Sequence, residues 1–492
     1  MYFCAAVWCI IFIFMNSLFF VIIILFVAGY VCIALEHPLR INKSATALLL
    51  GVVLWVIMAF GGESLIVNTG LADFLQFHGV SKKFTDWFSN ELVVNLGEIS
   101  EIVFFLLGAM TIVELVDSFG GFRIITEKIT TTSRVKFLWL LLFITFFLSA
   151  ILDNMTTAIV MVALLRKLVG EKKERWLYAS MVILAANAGG AWSPIGDVTT
   201  IMLWVGGKVS TTHIVYTTFL ASLMSIVVPM MILSFRLKGK FVSPQKSEEK
   251  SAEDIAHQIS DGERLLMLCM GIGALLFVPV FHFFTGLPPY MGMLIGLGIL
   301  WVTTELLQRF HPERDNSRIN VTSVLSRIDI PSILFFLGIL LAVAALQVCG
   351  HLMLLSNSLE NIPLENGKYL LIGYMIGIFS AVIDNVPLVA GAMGMYSFPM
   401  DHYFWAFVAY CAGTGGSILI IGSAAGVATM GLEKIDFIWY FKKISMLALI
   451  GYTAGALTFI AQNYNQVVNQ NPKKTVSYVI EEPQSHIITS YH

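Results

Sequence analysis

Apolar residues fall along this chain in blocks of roughly 17 to 25, the length one helix needs to cross a bilayer core. Short polar or charged stretches close each block. The pattern predicts spans near 17–35, 44–62, 97–116, 176–204 and 212–235, and again near 265–285, 290–308, 330–349, 403–433 and 444–462. Two further apolar stretches, Arg134–Arg166 and Lys368–His402, are each long enough for two helices folded back around one polar point. That point is Asp153 in the first and Asp384 in the second. A polar linker runs from 236 to 264, and a polar tail, read as mobile, from 463 to 492. The repeats are thus bounded at 17–235 and 265–462, with 1–16 as an extra apolar segment. That segment lacks the basic start and the small-residue cleavage site of a signal peptide.

Composition agrees with the pattern. Of 492 residues, 57% are hydrophobic and 13% charged, where a soluble chain carries about a quarter charged. Mean hydropathy is +0.80, so the fold class is an all-α polytopic membrane protein whose first partner is the lipid bilayer. A net charge of −2 points to no nucleic-acid partner. Six scattered cysteines show no metal-ligand spacing and read as small apolar residues.

Three blocks recur in order. Ser149-Ala-Ile-Leu-Asp-Asn154 returns as Ser380-Ala-Val-Ile-Asp-Asn385, 231 residues later. Glu98-Ile-Ser-Glu-Ile-Val-Phe-Phe-Leu106 returns at Asp329–Leu337 with the same offset. Asn187-Ala-Gly-Gly-Ala-Trp-Ser-Pro-Ile-Gly-Asp197 returns at Gly413–Ser423, offset by 226. The chain is a duplication. Arg123, Lys128, Arg134 and Lys136 precede the first hairpin and Arg166, Lys167, Lys172, Lys173 and Arg175 follow it, whereas only Lys368 flanks the second. Basic loops are enriched on the cytoplasmic side, so the hairpins enter from opposite faces and the repeats are inverted. Lys82 and Lys83, in a loop assigned outside, dissent.

A re-entrant hairpin would bring Asp153-Asn154 or Asp384-Asn385 near the midplane, where irregular backbone needs protein or a water-filled cavity around it. Thr156 and Thr157 can serve the freed backbone groups, and Pro387, matching Thr156, forbids a continuous helix. Gly189-Gly190 and Gly415-Gly416 mark a broken helix in each half, extended in the first by Ser193-Pro194 and Gly196-Asp197, with Thr199 and Thr200 beyond. Broken helices hold ions on their exposed ends. Asp153, Asn154, Asn187, Asp197 and Thr199 would complete an all-oxygen shell suited to sodium or lithium. The plainer roles are a structural pair for Asp153 and Asp384, a helix cap for Asp197, and hairpin caps for Asn154 and Asn385. No basic residue is predicted inside the spans near either aspartate, which leaves a fixed ion pair little support. Glu98 and Glu101 lie at a predicted interface, as solvated groups or on a proton path. Asn187 and Asp197 face Gly413 and Ser423 across the alignment, so the first half is expected to dominate cation binding, with Asp153 as the residue to test.

These motifs, Ser149–Ala158, Asn187–Thr200 and Phe379–Ala390, resemble the NhaD-type sodium/proton antiporters of the ion-transporter superfamily, over roughly 44–462. The resemblance implies two inverted repeats, each with a re-entrant hairpin and a broken helix, and a homodimer. It implies export of sodium and lithium against proton import, the ions being cargo and no cofactor being needed. The expected cation and proton ligands are Asp153, Asn154, Asn187, Asp197, Thr199, Thr200, Asp384 and Asn385, with sodium on the first four. Ser149, Thr156, Thr157, Ser380, Pro387, Gly415, Gly416, Ser417 and Ser423 are expected to support them. The competing reading is a sodium- or proton-coupled carrier of an anion such as a dicarboxylate or arsenite. No nucleophile–base pair, haem ligands or cysteine cluster supports an enzyme. The missing transit-like presequence favours a bacterial inner membrane.

Overall fold

The computed structural model describes residues 19–33, 36–61, 84–122, 124, 131, 133–237, 239, 259–311, 319–360 and 367–470. The segment 1–16, Lys82 and Lys83, most of the linker and the tail from 471 onward lie outside the described residues. In lipid, each backbone N–H and C=O must find its partner within the protein, and helices meet that demand segment by segment. The first part of the chain gives α1 (Phe19–Ile33), α2 (Lys43–Gly61), α3 (Phe84–Ser118), α4 (Arg134–Ser149), α5 (Asn154–Leu168), α6 (Lys172–Gly190), α7 (Val198–Val205) and α8 (Thr211–Arg236). The second gives α9 (Asp261–Thr285), α10 (Pro289–Phe310), α11 (Ile330–Val348), α12 (His351–Glu360), α13 (Lys368–Ser380), α14 (Asn385–Met395), α15 (Tyr403–Gly415), α16 (Ala424–Glu433), α17 (Phe437–Lys443) and α18 (Ser445–Gln462). Helices α2, α3, α8, α9, α10, α11 and α18 are long and apolar enough to cross a membrane. The protein is an all-α polytopic membrane protein.

Local chemistry sets the ends. Ser260 and Glu263 close a capping box at the start of α9, and Gly286 ends that helix in the left-handed region at φ 66°. Pro331 sits in the first turn of α11, where its missing N–H costs nothing. Two boundaries differ from the sequence pattern. The span expected at 97–116 starts thirteen residues earlier, because Phe88 packs on Trp55, Phe84 packs on Trp87 and Phe88, and the aromatic cluster extends α3. Residues 463–470, assigned to a mobile tail, are docked: a helical turn runs over Tyr464–Asn469 and Gln470 Oε1 accepts from Tyr403 N at 2.9 Å.

Packing joins the two parts in matched pairs. Helix α2 lies on α11 and α10 on α3, while α8 and α18 pack along each other. Hairpin arm α4 packs on α6, and its equivalent α13 on α15. The second halves of the broken helices then cross over, with α16 on α5 and α7 on α14. The breaks at 150–153, 191–197, 381–384 and 416–423 are thereby gathered at the centre.

Candidate functional site

Close backbone approach draws the breaks together. A Cβ on Gly189 would run into the Phe146 carbonyl, and one on Gly415 into the Gly377 carbonyl, so each broken helix presses directly on its hairpin. Ser149 Oγ donates to Ala186 O at 2.6 Å and Ser380 Oγ to Ala412 O at 2.8 Å, stitching the same contacts in both halves. These two serines hold backbone; they do not reach the site.

Four helices begin around the resulting space, each with its own cap. Asp153 caps α5, accepting from Thr156 N at 2.7 Å and from Thr156 Oγ1 at 2.5 Å. Asp384 caps α14 through Val386 N at 3.2 Å, with Pro387 in the first turn. Asp197 caps α7 through Thr199 N at 3.1 Å, and Ser423 caps α16 through Gly426 N at 3.1 Å. Three of the four N-termini, each carrying positive partial charge, are therefore filled by a carboxylate of the protein itself.

The asparagines next to the hairpin caps do something else. Asn154 Nδ2 donates to Asn187 Oδ1 and to Asp197 Oδ2, both at 3.1 Å. Asn385 Nδ2 approaches both Asp197 oxygens at 3.4 Å. Asn187 Nδ2 donates to Ser417 Oγ and Ser423 Oγ, each at 2.8 Å. One network thus runs from Ser417 and Ser423 through Asn187 and Asn154 to Asp197 and on to Asn385. Asp197 is 1% exposed. Its partners are neutral N–H donors, and among the described residues no lysine, arginine or histidine pairs with it. An isolated ionised carboxylate at such a site is costly, and a desolvated monovalent cation or a proton would relieve it. The Thr157 hydroxyl is buried with no hydrogen-bond partner among the described residues, and the buried Thr199 hydroxyl lies beside the Asp197 carboxylate. Thr200 Oγ1 is taken by Asp197 O at 2.8 Å.

The plainer capping role falls to the aspartates that precede Asn154 and Asn385, not to the asparagines. Ser417 and Ser423 from the second half join Asn187 from the first in one network. One expectation is corrected by this geometry. The fixed ion pair given little support exists: Lys43 Nζ lies 3.2 Å from Asp384 Oδ2, at the start of a helix distant in sequence from the motif. Asp153, half-buried, lines an apolar cleft with Phe105, Met110, Leu275, Met293 and Phe336 that leads toward Asn154. Glu98 is exposed on α3, outside the network. Sequence reasoning missed Lys43, and its only signal there was a charge at the foot of a predicted span.

Crossed broken helices and back-folded hairpins around a buried polar centre define a secondary transporter. The family described as CitMHS, citrate transporter, matches residues 30–410, and by its likeness to the relatives that follow the chain belongs to the NhaD-type sodium/proton antiporters. Sodium/proton antiporter 1 of Arabidopsis thaliana is 47% identical, over 89% of this chain and 71% of that protein. Sodium/proton antiporter 2 of the same plant is 44% identical, over 89% and 98%. The Na(+)/H(+) antiporter NhaD of Alkalimonas amylolytica is 30% identical, over 88% and 89%.

Proposed function

We propose that this protein exchanges cytoplasmic Na+, and Li+, for external H+. One observation carries the reading: a fully buried carboxylate, Asp197, held by three neutral N–H donors and no fixed cation. Such a group needs a positive partner, and a proton and a sodium ion compete to supply it. Asn154 donates to both Asn187 Oδ1 and Asp197, Asp153 lines the adjoining cleft, and the buried Thr157 hydroxyl is unspent. Proton release then makes room for sodium, and sodium release for the proton.

Alternating access follows from the same arrangement. The two parts of the chain are read as inverted repeats with re-entrant hairpins, and the hairpins with their crossed half-helices move against α2, α3, α10 and α11. A homodimer is proposed on family grounds. A bacterial inner membrane stays the proposed housing; the two plant relatives, more similar to this chain than the Alkalimonas protein, weigh against it.

The anion-carrier reading is less well supported. An anion would need helix N-termini or basic side chains free to receive it, and here carboxylates occupy three of the four N-termini. The test is the pH gradient across everted vesicles containing the protein. Addition of sodium or lithium should collapse it; collapse by succinate or arsenite with no response to sodium would overturn the proposal.

A further inference from the structure

Asp153 and Asp384 stand in the same six-residue block, cap equivalent helices and share their backbone setting, yet their surroundings differ in one respect. Asp384 has a cation. Lys43 Nζ sits 3.2 Å from Asp384 Oδ2 and 4.4 Å from the centroid of the Phe335 ring, so carboxylate and aromatic face hold the ammonium from two sides. The side chains are 26% and 16% exposed. Asp153 is met instead by the Thr156 hydroxyl and amide.

The lysine is placed by the scaffold. It is the first residue of α2, and its own N–H donates to Glu36 Oε1 at 3.3 Å. Next to it, Ser44 Oγ donates to Pro331 O at 2.6 Å, fixing the foot of α2 to the foot of α11. Phe335 lies one turn further along α11. Helix α10 packs on α3 as α2 packs on α11, but it begins with Pro288-Pro289 and brings no charge. The asymmetry is therefore built into the sequence at the start of one scaffold helix.

We propose that the Lys43 ammonium is the resident cation of the second hairpin, standing at Asp384 where a transported cation would otherwise bind. This rests on the exchange reading above and sharpens it. Duplication gives two acidic caps, and Lys43 removes one of them from the cargo path, so that each protomer binds sodium only at the Asp197–Asn154 site. Asp384 then serves as a positioning residue, tying the hairpin tip to α2 and leaving Asn385 to face Asp197.

Equilibrium binding of radioactive sodium to the purified full-length protein tests this directly, by counting ions per protomer at saturation. Wild type should bind one. Lys43→Met leaves Asp384 without its partner and should bind two, returning to one in Lys43→Met/Asp384→Asn, while Lys43→Arg should keep one. Lys43→Met saturating at one would overturn the proposal. If Lys43→Met is not recovered as a monodisperse protein, Asp384→Asn alone decides: the count should stay at one, and a fall from two to one between wild type and this variant would show Asp384 to be a cargo ligand. A wild-type count of zero would instead overturn the exchange reading itself.

Discussion

Replacing Asp197 with Asn removes one charge and almost nothing else. The amide has the shape of the carboxylate, and asparagine caps helices as well as aspartate, so the bond from Thr199 N and the start of α7 should survive. Asn154 Nδ2 and Asn385 Nδ2 both point at the Asp197 carboxylate, and one of them would meet an NH2 group in its place. An unpaired buried donor costs on the order of 1–3 kcal/mol, a loss of stability that a polytopic helical protein can carry. The functional cost is larger. Leaving one member of a desolvated charge pair without its partner costs about 3–5 kcal/mol, and Asp197, at 1% exposure, has no solvent to soften it. At about 1.4 kcal/mol per factor of ten, sodium affinity should fall roughly a hundred- to a few-thousand-fold. Sodium-dependent dequenching of a pH dye in everted vesicles reads this as a shift in half-saturating sodium, with expression and elution volume as controls. A variant whose half-saturation stays within about threefold of wild type would refute the placing of the cargo charge on Asp197.

Three further outcomes are expected. Asn187→Ala removes three buried hydrogen bonds, to Asn154, Ser417 and Ser423; at about 1 kcal/mol each, exchange should fall more than about tenfold and the melting temperature in detergent should fall with it. Gly415→Ala pushes a methyl group into the Gly377 carbonyl, and overpacking of about 1–3 kcal/mol or more should lower thermal stability in a fluorescence-detected melt. Glu433, whose side chain is 1% exposed, receives Arg166 Nε and Arg175 Nε at 2.6 Å each; Glu433→Gln should destabilise by about 3 kcal/mol, and Arg175→Gln by more than Arg166→Gln because Arg166 is half exposed.

The helical plan was legible in the sequence because a bilayer imposes one length and one composition on each crossing. The breaks were legible too, since Asp153-Asn154 and Gly189-Gly190 interrupt apolar runs that have no other reason to be interrupted. Long-range partners were not. Nothing in the spacing says that α16 crosses to α5, so Ser423, aligned with Asp197, reads as the weak copy of a site when it is a member of the same one. Lys43 was hidden for a similar reason. A lysine at the foot of a span reads as a topology marker, and only the packing of α2 on α11 carries it to a hairpin tip 341 residues away. The caps were hidden too: Asp153, acidic and repeated, reads from the sequence as a ligand, and only the fold shows it capping α5 while Asn154 beside it donates to Asp197.

In the proposed exchange, sodium and a proton compete for one buried carboxylate, Asp197. Its most direct measurement is proton release from purified, detergent-solubilised protein in unbuffered solution on addition of sodium chloride, with choline chloride as the control for ionic strength. Sodium and lithium should displace protons saturably from wild type, choline should not, and Asp197→Asn should release none. Sodium binding at saturation with no proton leaving the wild-type protein would contradict it.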